Sequence, residues 1–363
     1  MNNGPKTLHI IDSLGLGGAQ TVVKGILEYQ PENKSIFLFA LRKRDITTEI
    51  KQSNVRIFNS TRKYSLSPLF ELRNLIRKEK IDILHCHLFR SQVFGWLLKV
   101  IWFRNIRLIF HEHGEIFQCH FLYDFFMRLS KRQVNRIIAV SNTTQSELIK
   151  KAGIQERKIV VLPNFVDLNK FNRNNINWNL EEEKEKLGIK KDEFVIGFVG
   201  RLEKVKGCEY LIKSLPYLNF PYKVLVAGDG SEREDLEILA KTLGIDDKVI
   251  FLGYRDNVVL IYPLLDILVV PSLSESLGLS VIEAQAMSVP VIASNIGGLG
   301  ELVINKKNGI LFESKNYVNL AEKIVLLKKD IVLKEVMIKN AYNDIRKYCL
   351  ENYMKSLIKN YGN

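Results

Sequence analysis

The chain has 363 residues, 46% of them apolar and 26% charged. It is long for a single domain, and the composition is that of a soluble globular protein, which excludes a disordered or fibrous chain. Residues 1–170 carry 27 basic and 14 acidic side chains and the remainder 26 and 26, so the whole formal charge of +13 lies in the first half. Such asymmetry suits an anionic partner: a membrane surface, a lipid phosphate or a nucleic acid. The alternative is a merely basic, solvated face.

The amino terminus, MNNGPKTLHII, lacks an apolar signal core and runs straight into a strand. No apolar run reaches the roughly 18 residues of a spanning helix. Cys86, Cys119, Cys208 and Cys349 are scattered with no CxxC spacing, which fits a reducing compartment and no disulfide framework. The expectation is a cytoplasmic protein, at most peripheral on the inner face of the cell membrane.

Leu8–Ile11, Ile36–Leu41, Val55–Phe58, Ile81–His85, Ile106–Phe110, Ile137–Val140 and Ile159–Leu162 read as short, nearly all-apolar strands. Helical spacing falls between most of them, as at Pro68–Lys80 and Asn142–Lys151. Apolar runs alternating with helices predict a parallel sheet covered on both faces. After the first strand, Gly15-Leu16-Gly17-Gly18-Ala19-Gln20 opens a helix. It lacks the G-x-G-x-x-G dinucleotide fingerprint, so a plain strand–helix turn is the competing reading.

All six histidines lie in the first half: His9, His85, His87, His111, His113 and His120. The pairs 85/87 and 111/113 are each two apart at strand ends and share a face. A four-histidine metal site is conceivable, but no acid stands at ligand spacing. The preferred expectation places them at the C-terminal edge of the sheet, facing a cleft, with no metal. Phe94–Phe110 mixes Trp96, Trp102 and Phe103 with Lys99, Arg104 and Arg107. It suits either a helix at a membrane interface or a core helix feeding a core strand. Phe121–Arg136 offers the same two readings.

Pro163-Asn164-Phe165-Val166-Asp167 breaks the rhythm. Residues 169–192 read as a polar junction between a first domain, 1–168, and a second, 193–345. The charged run Glu181–Lys186 within the junction reads as an exposed helix. Phe194–Val199, Lys223–Ala227, Val249–Leu252, Ile267–Val270 and Val289–Ala293 are the strands of the second half. Leu279–Met287, Asn316–Lys329, Ile331–Tyr342 and Tyr348–Tyr361 have helical spacing.

Two stretches carry chemistry. Arg201 stands just past the strand Phe194–Val199, and Lys206 at the start of the next helix. Both cations would point out of the strand's C-terminal edge, where open α/β sheets bind ligands. Farther on, Glu275 lies in a loop and Glu283 about one turn into the following helix. That helix start, at Gly278, Leu279 and Ser280, offers unpaired N–H groups, a ready anion site. Paired acids beside an anion site suit a ligand with hydroxyls at one end and phosphate at the other. Two solvated acids near a loop is the bland alternative.

Glu275-x7-Glu283 resembles the EX7E motif of retaining glycosyltransferases, in particular glycosyltransferase family 4. That family usually reads E-G-F-G-L where this chain reads Glu275-Ser276-Leu277-Gly278-Leu279. Gly200-Arg201 through Lys206-Gly207 is similar to the family's G-R-x-x-x-x-K-G element, and PNFVD is similar to its PNGVD signature. Ala227-Gly228-Asp229-Gly230 and Leu252-Gly253-Tyr254 look like two further landmarks. The resemblance covers nearly the whole chain and implies an α/β fold of the GT-B type, with two Rossmann-like domains whose parallel sheets face a central cleft. It implies that the last helix, about 346–363, crosses back onto the first domain.

The resemblance also implies roles. Arg201 and Lys206 would stabilise the leaving diphosphate, and the N–H groups of Leu279 and Ser280 would cap a phosphate. Glu283 would hold the ribose, and Glu275 and His113 would contact the donor sugar. Gly17 and Gly18 would lie near donor diphosphate and acceptor, with Tyr254 and Arg255 reading the base. His111 competes with His113, but Gly114 after it favours His113. The implied enzyme is a hexosyltransferase (EC 2.4) acting with retention of configuration and needing no metal or other cofactor. Its partners would be a nucleotide sugar and a glycan or lipid-linked acceptor, in cell-surface polysaccharide synthesis. A nucleotide-sugar epimerase on the same fold is the first rival, separable because it needs no acceptor. A nucleic-acid binder is the second; the neutral second half and the lack of RNA-binding motifs argue against it.

Overall fold

A computed structural model describes residues 4–15, 17–29, 35–43, 54–59, 65–114 and 120–362. The chain divides into two compact units, Met1–Asn164 with Leu350–Asn363, and Phe165–Cys349. Residues 169–192 are part of the second unit.

The first unit is built on β1 (Thr7–Ile11), β2 (Ile36–Ala40), β3 (Val55–Ile57), β4 (Ile83–His87), β5 (Arg107–Glu112), β6 (Arg136–Ala139) and β7 (Ile159–Val161). Their spatial order is β3-β2-β1-β4-β5-β6-β7, with every pairing parallel. β1, β2 and β4 are buried at every position, which is why they read as apolar runs rather than alternations. β4 starts two residues later than the apolar run predicts. Lys80 turns left-handed to cap the helix Pro68–Glu79, and the Ile81 N–H returns to the Ile76 carbonyl at 3.1 Å, so Ile81 is spent on the helix end.

Of the two readings of the aromatic–basic stretch, the core helix is the one observed. The helix Phe89–Ile101 ends before Arg107 opens β5, and Trp96, Trp102 and Phe103 pack on the first unit's core. A Cβ at Gly95 would stand 2.3 Å from the Cys86 Sγ, so this glycine lets the helix lie directly on β4. The helix His120–Ser130 buries Tyr123, Phe126 and Met127 but leaves Leu122, Phe125 and Leu129 exposed. The last helix, Leu350–Gly362, belongs to the first unit and buries Tyr353, Met354, Leu357 and Tyr361. Arg136 Nη1 donates to Asn360 Oδ1 at 2.7 Å, and Arg107 donates to the Tyr361 carbonyl.

The second unit holds β8 (Phe194–Val199), β9 (Tyr222–Ala227), β10 (Val249–Gly253), β11 (Ile267–Val270), β12 (Val291–Ser294) and β13 (Ile310–Phe312). Their order is β10-β9-β8-β11-β12-β13, again all parallel. β13, three residues long, is a strand that the sequence reading does not include. β12 starts late because Ser288 is left-handed and the Val289 N–H bonds the Ala284 carbonyl at 2.8 Å, closing the preceding helix. Leu180–Lys186 is an exposed helix, capped by Asn179 Oδ1 accepting from the Glu181 N–H. No helix among the described residues is long and apolar enough to cross a membrane.

Candidate functional site

In the second unit the chain reverses its direction of growth across the sheet between β8 and β11. The C-terminal ends of those two strands are where open α/β sheets of this kind bind ligands. Arg201 is in the loop after β8, and Glu275 in the loop after β11. The first loop makes a single 3-10 turn, Lys204–Lys206, closed by Gly207 at φ 63°. A Cβ on Gly207 would lie 2.2 Å from the Pro271 carbonyl oxygen, so only glycine lets the loops touch. The Leu273 N–H seals them with a 2.8 Å bond to the Val205 carbonyl. Lys206 Nζ thereby reaches Glu275 Oε2 at 2.6 Å, and Ser272 Oγ donates to the same oxygen at 3.3 Å. The pair is only 22% and 17% exposed, so the ammonium is held in place rather than waving in water.

Glu275 is held from behind as well. Its carbonyl accepts from the Gly298 N–H at 3.0 Å, and a Cβ on Gly298 would stand 1.9 Å from the Ser276 carbonyl oxygen. The helix Leu279–Ala286 starts at Gly278 with φ 97°, which supplies no side-chain cap. The first-turn N–H groups, Leu279 and Ser280 among them, therefore meet no capping carboxylate or hydroxyl from that position. Glu283, one turn on, accepts from the Tyr262 hydroxyl at 2.6 Å. Burial pushes its carboxyl up to about 7, against the lowering effects of the Tyr262 hydroxyl and Lys170. Cation, helix mouth and two acids are thus set on two loops and one helix of a single sheet edge. That arrangement can hold a diphosphate and accept hydrogen bonds from sugar hydroxyls.

Tyr254 and Arg255 follow β10, the edge strand two places from β8. Both are exposed, and the Tyr254 hydroxyl donates to Asp256 Oδ1 at 2.8 Å. Gly17, at φ 151°, and Gly18 open the helix Gly18–Tyr29 after β1, while Leu16 lies outside the described residues. The turn sits at the first sheet's own reversal point, between β1 and β4. There the sequence reading missed a cluster. Asp12 pairs with Arg42 at 2.5 Å and with Arg90 at 2.9 Å, fixing two cations at the mouth of that sheet. Its signal was an acid directly after an apolar strand. Tyr262 was also missed, having no local pattern to mark it.

The histidines stand near strand ends as expected, His87 as the last residue of β4 and His111 as the last but one of β5, but His9, His85, His87 and His111 are buried at 0–1% exposure, while His113, just past β5, is partly exposed. They stand on β1, β4 and β5 in lateral register, His9 opposite His85 and His87 opposite His111, so their rings meet across the sheet at centroid distances of 4.6 and 5.1 Å, tilted by 34° and 37°. His9, His85 and His87 have nitrogens close enough together to share an ion, as have His87, His111 and His113. All of these histidines' ring nitrogens except His111 Nε2 and His113 Nδ1 are, however, within hydrogen-bond distance of one another or of Tyr361.

Residues 179–344 match the family described as glycosyl transferases group 1, and residues 16–170 match glycosyltransferase family 4. The chain is 32% identical to an uncharacterized glycosyltransferase of Methanocaldococcus jannaschii, over 78% of this chain and 75% of that one. It is 29% identical to the Escherichia coli UDP-Gal:alpha-D-GlcNAc-diphosphoundecaprenol alpha-1,3-galactosyltransferase, over 91% and 89% of the two chains. Among solved structures, Anabaena HepE in complex with UDP and glucose superposes with a TM-score of 0.88 at 22% identity, covering 99% of each chain. WaaG, a glycosyltransferase involved in lipopolysaccharide biosynthesis, gives 0.75 at 14%, covering 97% of this chain and 98% of that one. With two doubly wound parallel sheets and these likenesses together, the chain belongs to glycosyltransferase family 4 and is a glycosyltransferase of GT-B fold.

Proposed function

We propose that the chain transfers a hexose, with retention of configuration, from a uridine-type nucleotide sugar to a lipid-linked or glycan acceptor during cell-surface polysaccharide synthesis. The observation that carries this reading is the Lys206–Glu275 contact at 2.6 Å beside an uncapped helix start. In the reaction the bond from the sugar's anomeric carbon to the diphosphate breaks, and a bond to an acceptor oxygen forms on the same face. The acceptor's proton passes to the leaving phosphate oxygen. Arg201 and Lys206 stabilise the charge that grows on that oxygen, in place of a metal ion. The N–H groups of Leu279 and Ser280 cap a phosphate, and Glu283 takes the ribose hydroxyls. Gly17 and Gly18 leave room for the diphosphate, and Tyr254 and Arg255 contact the base. Glu275 and His113 hold the sugar. The galactosyltransferase and HepE likenesses support the choice of uridine and of a lipid-linked acceptor.

The first unit's basic excess, the Asp12–Arg42–Arg90 cluster and the exposed Leu122, Phe125 and Leu129 support an anionic, lipid-bearing acceptor and a peripheral membrane contact. Incubation with UDP-, GDP- and dTDP-sugars, scored by thermal shift and then by transfer to a lipid-diphosphate acceptor, tests this reading. The expected result is stabilisation by a UDP-sugar, about 2.7 kcal/mol at a hundred times its dissociation constant. A donor consumed equally with and without acceptor would point instead to the epimerase.

A further inference from the structure

Five imidazoles and one phenol in the first unit form a branched run of hydrogen bonds that the transfer chemistry does not by itself require. The Tyr361 hydroxyl lies 2.6 Å from His85 Nδ1 and 3.2 Å from His9 Nε2. From His85 one arm continues, Nε2 to His111 Nδ1 at 3.2 Å. From His9 the other arm continues, Nδ1 to His87 Nε2 at 2.9 Å and His87 Nδ1 to His113 Nε2 at 3.0 Å. Each arm ends on a buried nitrogen with no partner among the described residues, His111 Nε2 and His113 Nδ1.

Burial holds all five rings neutral: it pushes His9 and His113 down to about 3, and burial together with the neighbouring imidazoles holds His85, His87 and His111 well below the ordinary range. Burial likewise keeps the Tyr361 proton in place. A neutral imidazole has one N–H and one lone pair, so every link in an arm must run in the same direction. Tyr361 has one proton, which it gives to one arm while accepting from the other. Hydroxyl donors make shorter bonds than N–H donors. The 2.6 Å contact is therefore Tyr361 donating to His85, and the 3.2 Å contact is His9 Nε2–H donating to Tyr361. Following the second arm, His87 donates through Nε2 to His9, and His113 donates through Nε2 to His87. His113 Nδ1 is left with a lone pair.

We propose that Tyr361 is a positioning residue whose single proton orders both arms and fixes His113 as the tautomer with Nε2 protonated and Nδ1 bare. The tautomer assignment stands apart from the proposed function; the effect on turnover given below rests on the sugar contact proposed above and requires the bound donor to uncover the buried Nδ1. The helix Leu350–Gly362, which carries Tyr361, is thereby more than a clasp on the first unit.

Histidine-selective 15N labelling of the full chain, read by long-range proton–nitrogen correlation, tests it. Wild type should show His113 protonated at Nε2. Tyr361→Phe and His9→Asn should each release His113 into a mixture of tautomers, whereas His111→Asn, on the other arm, should leave it unchanged. Should Tyr361→Phe fail to fold, His9→Asn carries the same test. In turnover, Tyr361→Phe should lower kcat roughly tenfold with a smaller change in donor KM, about what one lost hydrogen bond supports. In a His113→Asn background it should have no further effect. His113 protonated at Nδ1 in wild type, or unmoved in Tyr361→Phe, overturns the proposal. So does stoichiometric Zn2+ lost in His87→Ala, because a bound ion needs lone pairs that the arms use. If no variant, wild type included, transfers sugar while the tautomers behave as stated, the functional reading alone fails.

Discussion

Glu283→Gln isolates the energetics of the candidate site in one proton. The carboxyl titrates at 4.5 in an ordinary setting and at about 7 in the folded chain. A folded value raised above the unfolded one means that the folded state keeps its proton longer. Stability is therefore lost as pH climbs from about 4.5 to about 7, and the cost persists above that. Each pH unit is worth about 1.4 kcal/mol, so full ionisation costs at most about 3 kcal/mol. Glu283 keeps some solvent contact, which screens part of this and leaves about 2 kcal/mol. Glutamine has the same shape, still accepts from the Tyr262 hydroxyl through its carbonyl, and cannot ionise. Urea unfolding at pH 5 and pH 8, followed by circular dichroism, measures the gap between variant and wild type in the transition that the substitution moves. The gap should shift by about 2 kcal/mol in the variant's favour between the two pH values. A gap independent of pH, or one shifting the other way, would refute the reasoning, because the other titrating groups cancel in the difference.

Lys206→Ala and Glu275→Ala should each cut turnover by roughly 10²–10³ while circular dichroism stays native, and near-normal rates in both would defeat the assignment. Gly298→Ala should destabilise the second unit by about 1–3 kcal/mol, because the new methyl meets the Ser276 carbonyl, a backbone atom that cannot swing away. Thermal unfolding reads that loss, and an unchanged melting temperature counts against the close approach. Transfer should continue in EDTA, as cations on the protein take the metal's place; strict dependence on a divalent ion, restored by adding it back, would remove the metal-free scheme.

Much of the fold was legible because its signals are local. Runs such as Phe37-Leu38-Phe39 are apolar at every position only when both faces of a strand are covered, so a parallel sheet follows from the sequence alone. The boundaries that slipped did so where a helix cap borrowed the next residues, at Ile81 and Val289. Such caps depend on which residue turns left-handed, and Lys80 and Ser288 do not advertise it.

The site was half legible. The order of Arg201, Lys206, Glu275 and Glu283 along the chain identified them as a set, because cations after one strand and acids after another are what a diphosphate and sugar hydroxyls need. That Lys206 touches Glu275 was decided by β8 and β11 lying side by side at the reversal of the sheet, and by Gly207 permitting the contact. The histidines mark the limit most clearly. Their two-residue spacing reads the same whether they face solvent or core. Only lateral register across β1, β4 and β5 buries them, and only the return of the last helix brings Tyr361, 276 residues from His85, into bonding distance. Backbone preference and apolar pattern act over a few residues and so are written in the sequence. The pairing of polar atoms in a dry interior depends on which segments the packing brings together, and that is settled only when the whole chain has closed.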